Sequence, residues 1–152
     1  MVYPLNTIKK TTILLYYDWY FNIVICMEIK VLYPKRNEER NYLNDWDIKV
    51  SYKEQIPTKA DIEKDYKELP ISKKYWSSWQ LDIADPKYKE SILEEIFKLF
   101  NSYKTNPMSI NEMQDWIKEN KVSHTSMSVG DIVILDNDIY VCANEGWKKV
   151  IN

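Results

Sequence analysis

The side chains that could carry chemistry are few. His124 is the single histidine and stands beside Thr125 and Ser126, a base next to two hydroxyls. Nucleophilic catalysis needs a base that meets its nucleophile in space while a third group orients it, and adjacency along the chain supplies neither condition. Cys142 could form a thiol dyad with His124, but it lies in an apolar run, where a buried thiol is inert. Gly130 and Gly146, the two glycines, are isolated and cannot build a phosphate-cradling loop, and no nucleophile-elbow pattern occurs. One histidine without a Cys-x-x-Cys pair gives no zinc pattern. Glu94-Glu95 and the scattered acids read as a solvated helix face. The residue inventory therefore points away from an enzyme and toward no cofactor or metal.

Recognition is better provided for. Twelve Tyr and six Trp supply large contact area with a polar handle, the composition of a recognition surface or of a ring-filled core. Tyr75, Trp76 and Trp79 cluster, but one segment cannot make an aromatic cage, so core is the favoured reading. Trp147 with Lys148 and Lys149, joined by Lys73 and Lys74 beside Tyr75, could stack bases and track phosphates. Against that, 21 basic and 23 acidic residues leave a net charge of -2 and no global basic footprint. A further candidate is a loop displayed from Thr125 to Gly130, since loops on rigid scaffolds carry recognition. The candidate binding residues are thus His124, Thr125, Ser126, Gly130, Trp147, Lys148, Lys149, Tyr75, Trp76 and Trp79.

The elements that must position them follow from pattern. A chain of 152 residues, 45% hydrophobic and 29% charged, is an ordinary globular sequence of one-domain size. Cys26 and Cys142 are too sparse for a disulfide framework and are read as free thiols in a reducing cytoplasm. Residues 11–26 are apolar behind Lys9 and Lys10, like a secretory leader, yet Asp18 and Asn22 interrupt the run and no cleavage pattern follows. A membrane span is rejected, because it needs about 20 apolar residues and a central Asp costs about 3 kcal/mol. The expectation is a hydrophobic extension over 1–26, upstream of a usual start at Met27, and a single domain over 27–152.

Within that domain Ile29, Val31 and Tyr33 alternate as a strand that Pro34 ends, while residues 35–45 form a short helix or exposed connection. Ile48, Val50 and Tyr52 alternate again. Ile62, Tyr66 and Leu69 form a narrow helical stripe before Pro70, and Leu81 with Ile83 suggests another strand. Asp85 and Pro86 open a helix over 86–103 whose wide apolar face runs from Tyr88 to Tyr103 and must pack on a sheet. Ser109 and Glu112 offer a capping box for a helix to about Asn120. Ile132–Leu135 and Ile139–Cys142 are joined by Asp136-Asn137-Asp138 as a hairpin, and Trp147 to Ile151 adds a third strand. The fold class is α+β: a small mixed or antiparallel sheet packed by two amphipathic helices, with a C-terminal β-meander over 122–151.

The run from His124 through Ser126, Ser128, Val129, Gly130 and Asp131 to Leu135, then Ile139–Ala143 and Gly146–Val150, resembles the YodL-type family of small phage and mobile-element proteins. The shared features are a Ser-x-Ser-Val-Gly-Asp phrase, a hairpin, a Gly-aromatic pair and a short terminal strand. The opening Lys30–Pro34 is weakly similar. The family carries no catalytic residues to transfer. The resemblance implies a cytoplasmic accessory protein of a phage or mobile element that binds a host protein or ribonucleoprotein complex stoichiometrically. Inhibition of a host defence system, of the anti-CRISPR kind or another, is the favoured form. A nucleic-acid-binding module and a nucleotide or small-molecule sponge are the alternatives. Read physically, the same phrase places Gly130 where a turn with positive φ enters a strand, and lets Asp131 bond nearby backbone N–H groups.

Overall fold

The computed structural model describes residues 12–18, 23–35, 56–72, 75–76, 89–122 and 124–151. The strands β1 (Thr12–Asp18), β2 (Ile23–Pro34), β3 (Tyr66–Glu68), β4 (Ile132–Leu135), β5 (Asp138–Cys142) and β6 (Trp147–Lys149) pair antiparallel throughout. Their order is β1-β2-β4-β5-β6, with β3 also on β2. Three helices accompany them among the described residues: α1 (Lys59–Asp65), α2 (Lys89–Phe100) and α3 (Asn111–Glu119), with a 3₁₀ turn at Pro107–Ser109. The molecule is α+β with a C-terminal meander.

Strand β2 organises the rest. Its first half pairs with β1 and its second with β3 and β4. It begins at Ile23, ahead of the Met27 at which alternation predicts it to start. From Met27 onward the pleat sorts side chains, as period two requires: Met27, Ile29, Val31 and Tyr33 are buried on one face, and Leu32 points to the other. The first face joins Val133 and Leu135 of β4 and is covered by Ile92, Leu93, Ile96, Leu99 and Phe100 of α2. The second joins Ile132 and Val141 and is covered by Ile62 of α1 and Tyr66 of β3. Strand β4 is therefore apolar on both sides, which explains its unbroken Ile-Val-Ile-Leu run. Full burial of each such side chain contributes about 1.5–3 kcal/mol.

Three boundaries differ from the sequence pattern, each for a local reason. The stripe Ile62, Tyr66, Leu69 is not one helix: α1 ends at Asp65, and Tyr66 takes extended geometry (φ -117°, ψ 154°) to pair with Pro34. Sheet pairing overrides a 3.6-residue spacing that a strand edge also satisfies. Helix α2 ends at Phe100, leaving Tyr103 85% exposed. Asn101, Thr105 and Asn106 donate side-chain hydrogen bonds to the carbonyls of Phe97, Leu99 and Phe100, satisfying the last turn and stopping it. The Ser109–Glu112 capping box does not form. Ser109 belongs to the 3₁₀ turn, which Asn106 caps by accepting from the Met108 N–H, and α3 starts behind Ile110 without a side-chain cap. A capping box occurs instead at Thr58–Asp61, opening α1. α3 contributes half-buried Met113, Trp116 and Ile117 to the larger core. The readings at 35–45, 48–52 and 81–83 and the Asp85–Pro86 helix start lie outside the described residues, apart from Lys35, which bridges Val122.

The meander matches its pattern, with one refinement. Leu135 pairs with Asp138, so the connection is the two residues Asp136-Asn137, and Asp136 takes φ +55°. Asp136 also docks the turn on β2: its N–H donates to the Glu28 carbonyl, and its carboxylate accepts from the Glu28 N–H. No helix among the described residues is long and apolar enough to cross a membrane.

Candidate functional site

Two places in the C-terminal region concentrate polar side chains: the loop from His124 to Asp131, and the turn Asn144–Gly146 leading into Trp147.

The loop is fastened from every side. The His124 Nε2 lies 3.0 Å from both carboxylate oxygens of Asp131, whose side chain is fully buried. The same carboxylate accepts from the Ser128 N–H at 2.7 Å. The Asp131 N–H donates to the Ser128 carbonyl, and the Gly130 and Cys142 N–H groups donate to the Cys142 and Asp131 carbonyls respectively. Gly130 sits at φ +95°, the left-handed side of the map where a side chain is strained, so the Gly-Asp pair turns the chain into β4.

Residues far away in sequence complete the fastening. Tyr33 is fully buried, stacks on the His124 ring at 4.3 Å between centroids, and donates its hydroxyl to the Thr125 carbonyl. The Asn106 side-chain amide donates to that carbonyl as well. Tyr66 donates to the Gly130 carbonyl at 2.6 Å. Burial holds the Tyr33 hydroxyl well above its ordinary pKa, and the charge of Asp131 adds to the effect, so Tyr33 is a neutral donor.

Imidazole and carboxylate thus meet, as the base and orienting group of a triad would. Yet the carboxylate also holds the loop's own backbone, and Tyr33 covers a face of the ring. Ser126 is exposed, Thr125 half-buried and Gly130 buried. The loop is assembled as a fastening.

Beside it runs a groove between α2 and the β5–β6 connection. One part, about 390 Å³, is lined by Phe97, Met127, Val129, Ala143 and Trp147, with Cys142, itself 5% exposed, at its border. The adjoining part, about 540 Å³, is lined by Glu90, Glu94, Glu95, Lys98, Glu145 and Trp147. Glu94, Gly146 and Trp147 border both. Gly146 at φ +69° makes the reversal that brings Trp147 against the larger core.

The pleat separates the Trp-Lys-Lys run. Trp147 and Lys149 share the α2 side with their partners Cys142 and Tyr140, whereas Lys148 pairs with Val141 on the opposite face. Lys149 lies 3.3 Å from the Asp138 carboxylate, which Lys89 also contacts. Lys89, foremost, and Lys149 hold that carboxyl below its usual range. These residues therefore do not form one cationic strip.

Trp76 is 2% exposed, packed on Tyr75 and Phe100, and has no face for a ligand. Tyr75 is half-buried and donates its hydroxyl to the Thr105 carbonyl. Trp79, Lys73 and Lys74 lie outside the described residues. Among the described residues no three His, Cys, Asp or Glu side chains converge as a metal site. The sequence reading missed Tyr33, Tyr66 and Asn106 as the loop's anchors, and it missed the glutamates facing Trp147. Glu90 and Glu94, four apart on a helix, and Glu145 next to Gly146-Trp147 were the available signal.

No family model matches the chain, and no solved structure matches it. Over 93 residues it is 38% identical to "Uncharacterized protein R785" of Acanthamoeba polyphaga mimivirus, an alignment covering 60% of this chain and 83% of the viral protein.

Proposed function

The chain belongs to the family of the mimivirus protein R785, and from that premise we propose that it is a non-enzymatic viral or mobile-element accessory protein that binds a host macromolecule stoichiometrically. The observation that carries this reading is the contrast at the site. The single histidine is engaged with a buried carboxylate that holds a loop, while the concave surface beside it presents an indole and apolar walls. Concave surfaces with a partly exposed aromatic anchor suit recognition. The YodL-like phrase in 124–135 supports the mobile-element lineage. Inhibition of a host defence system in the cytoplasm is the role we favour for such a binder.

Nucleic acid is the weaker alternative, because four glutamates line the groove on which the Trp147 indole opens and would repel phosphates. A base sandwiched as by a nucleotide sponge meets the same carboxylates.

Quantitative capture from host lysate is the test, comparing the chain with its Trp147→Ala variant and with a gene deletion in the native element. A saturable complex of fixed stoichiometry, lost in the variant, supports the reading. Absence of any partner together with no growth or propagation defect on deletion overturns it.

A further inference from the structure

The two adjoining parts of the groove differ in polarity, and together they describe an occupant. In the wider part Glu95 is paired with Lys98 at 3.3 Å, whereas Glu90, Glu94 and Glu145 have no ionic partner among the described residues. Four carboxylates face one ammonium there, on both walls: Glu90, Glu94 and Glu95 from α2, Glu145 from the opposing turn. The narrower part is walled by Phe97, Met127, Val129 and Ala143, with no positive side chain in its lining. Trp147 borders both, so whatever spans them crosses the indole.

Resting on the binding reading above, we propose that the partner is a protein presenting a basic segment, with a Lys or Arg beside an aliphatic residue. The aliphatic side chain enters between Phe97 and Met127. The neighbouring cation lies over the Trp147 ring, where the ring's negative face attracts it, with its charge toward Glu94 and Glu145. Charge complementarity makes the choice of partner. Like-charged carboxylates on two walls of one concavity repel an acidic segment or a phosphate backbone and draw in a cation. The long methylene stems of Lys and Arg cover apolar surface while their heads remain solvated, which suits a groove apolar at one end and acidic at the other.

The probe is a phage-displayed library of random decapeptides selected on the purified full chain, the enriched peptides then being measured by fluorescence anisotropy. The expected result is enrichment of Lys or Arg next to Leu, Ile, Met or Val. Binding should weaken by about tenfold between low and high salt, and by a similar factor in the Glu94→Gln/Glu145→Gln double variant, whose thermal unfolding stays that of the parent. Acidic, neutral or unenriched peptides overturn the inference, as does undiminished binding by the double variant. Competition by a dT10 oligonucleotide for the peptide's site overturns it in favour of nucleic acid. If the host partner is lost with Trp147→Ala but retained by the double variant, stoichiometric binding at this groove stands and only the basic-segment assignment falls.

Discussion

The loop 124–131 and the turn 144–147 lie side by side, each hinged on a glycine with positive φ, and their polar groups have opposite fates. In the loop, Asp131 is buried and engaged by His124 and the Ser128 N–H, and Tyr33, Tyr66 and Asn106 hold the carbonyls. At the turn, Glu145 and, across the groove, Glu94 are exposed and have no ionic partner among the described residues. The residues with the greatest chemical promise on paper thus hold the loop together, whereas a helix-face glutamate and a turn glutamate stand exposed. A histidine's chemistry depends on what its surroundings leave unoccupied.

The sharpest way to break this comparison is Asp131→Ala. It removes the buried acceptor of both His124 and the Ser128 N–H, and leaving those two donors unsatisfied should cost about 2–4 kcal/mol in urea unfolding. A loss under 1 kcal/mol would mean the loop is not held as described. Next is Gly146→Ala. An added Cβ meets nothing within 4 Å, so the cost comes from the backbone at φ +69° alone and should be about 1–2 kcal/mol, read in the same assay. Tyr33→Phe should cost about 1 kcal/mol at neutral pH, since the Thr125 carbonyl keeps its Asn106 donor.

The Tyr33 variant also has a pH signature. Because the folded pKa of Tyr33 is raised, its contribution is fully present below the unfolded value near pH 10. Above that, the unfolded phenol ionises while the buried one stays protonated, and wild-type stability declines by up to about 1.4 kcal/mol per pH unit. The gap between wild type and Tyr33→Phe should therefore narrow above pH 10, measured as urea midpoints at pH 8, 10 and 11. A constant gap would mean that the phenol ionises in the native state too. The smallest effect belongs to the groove: Glu94→Gln should change stability by less than about 0.5 kcal/mol, as exposed sites do. A larger change would place Glu94 in the loop's class instead.

Where residues interact with their neighbours in the chain, the sequence was legible. The meander could be read because two β-rich runs and the short connection between them are local, and α2 because its apolar positions recur along one face. Gly130 and Gly146 announced their turns for the same reason. Tyr66 was misread because the same residue satisfies a helical stripe and a strand edge, and the deciding partner, Pro34, lies far back in the chain. Tyr33 read as one position of an alternating strand, and nothing nearby in sequence marks it as the platform for His124.

Composition and local periodicity by themselves determined an α+β protein with an apolar helix face, a C-terminal β-meander and no recognisable catalytic pattern. Tertiary structure alone decided that His124 faces Asp131 under Tyr33, that β4 is covered on both sides, and that α2 glutamates and Glu145 border Trp147 together. The physical reason is range. Backbone preference and amphipathic spacing act over a few residues, whereas the environment of a side chain is set by segments that only the folded chain brings alongside it.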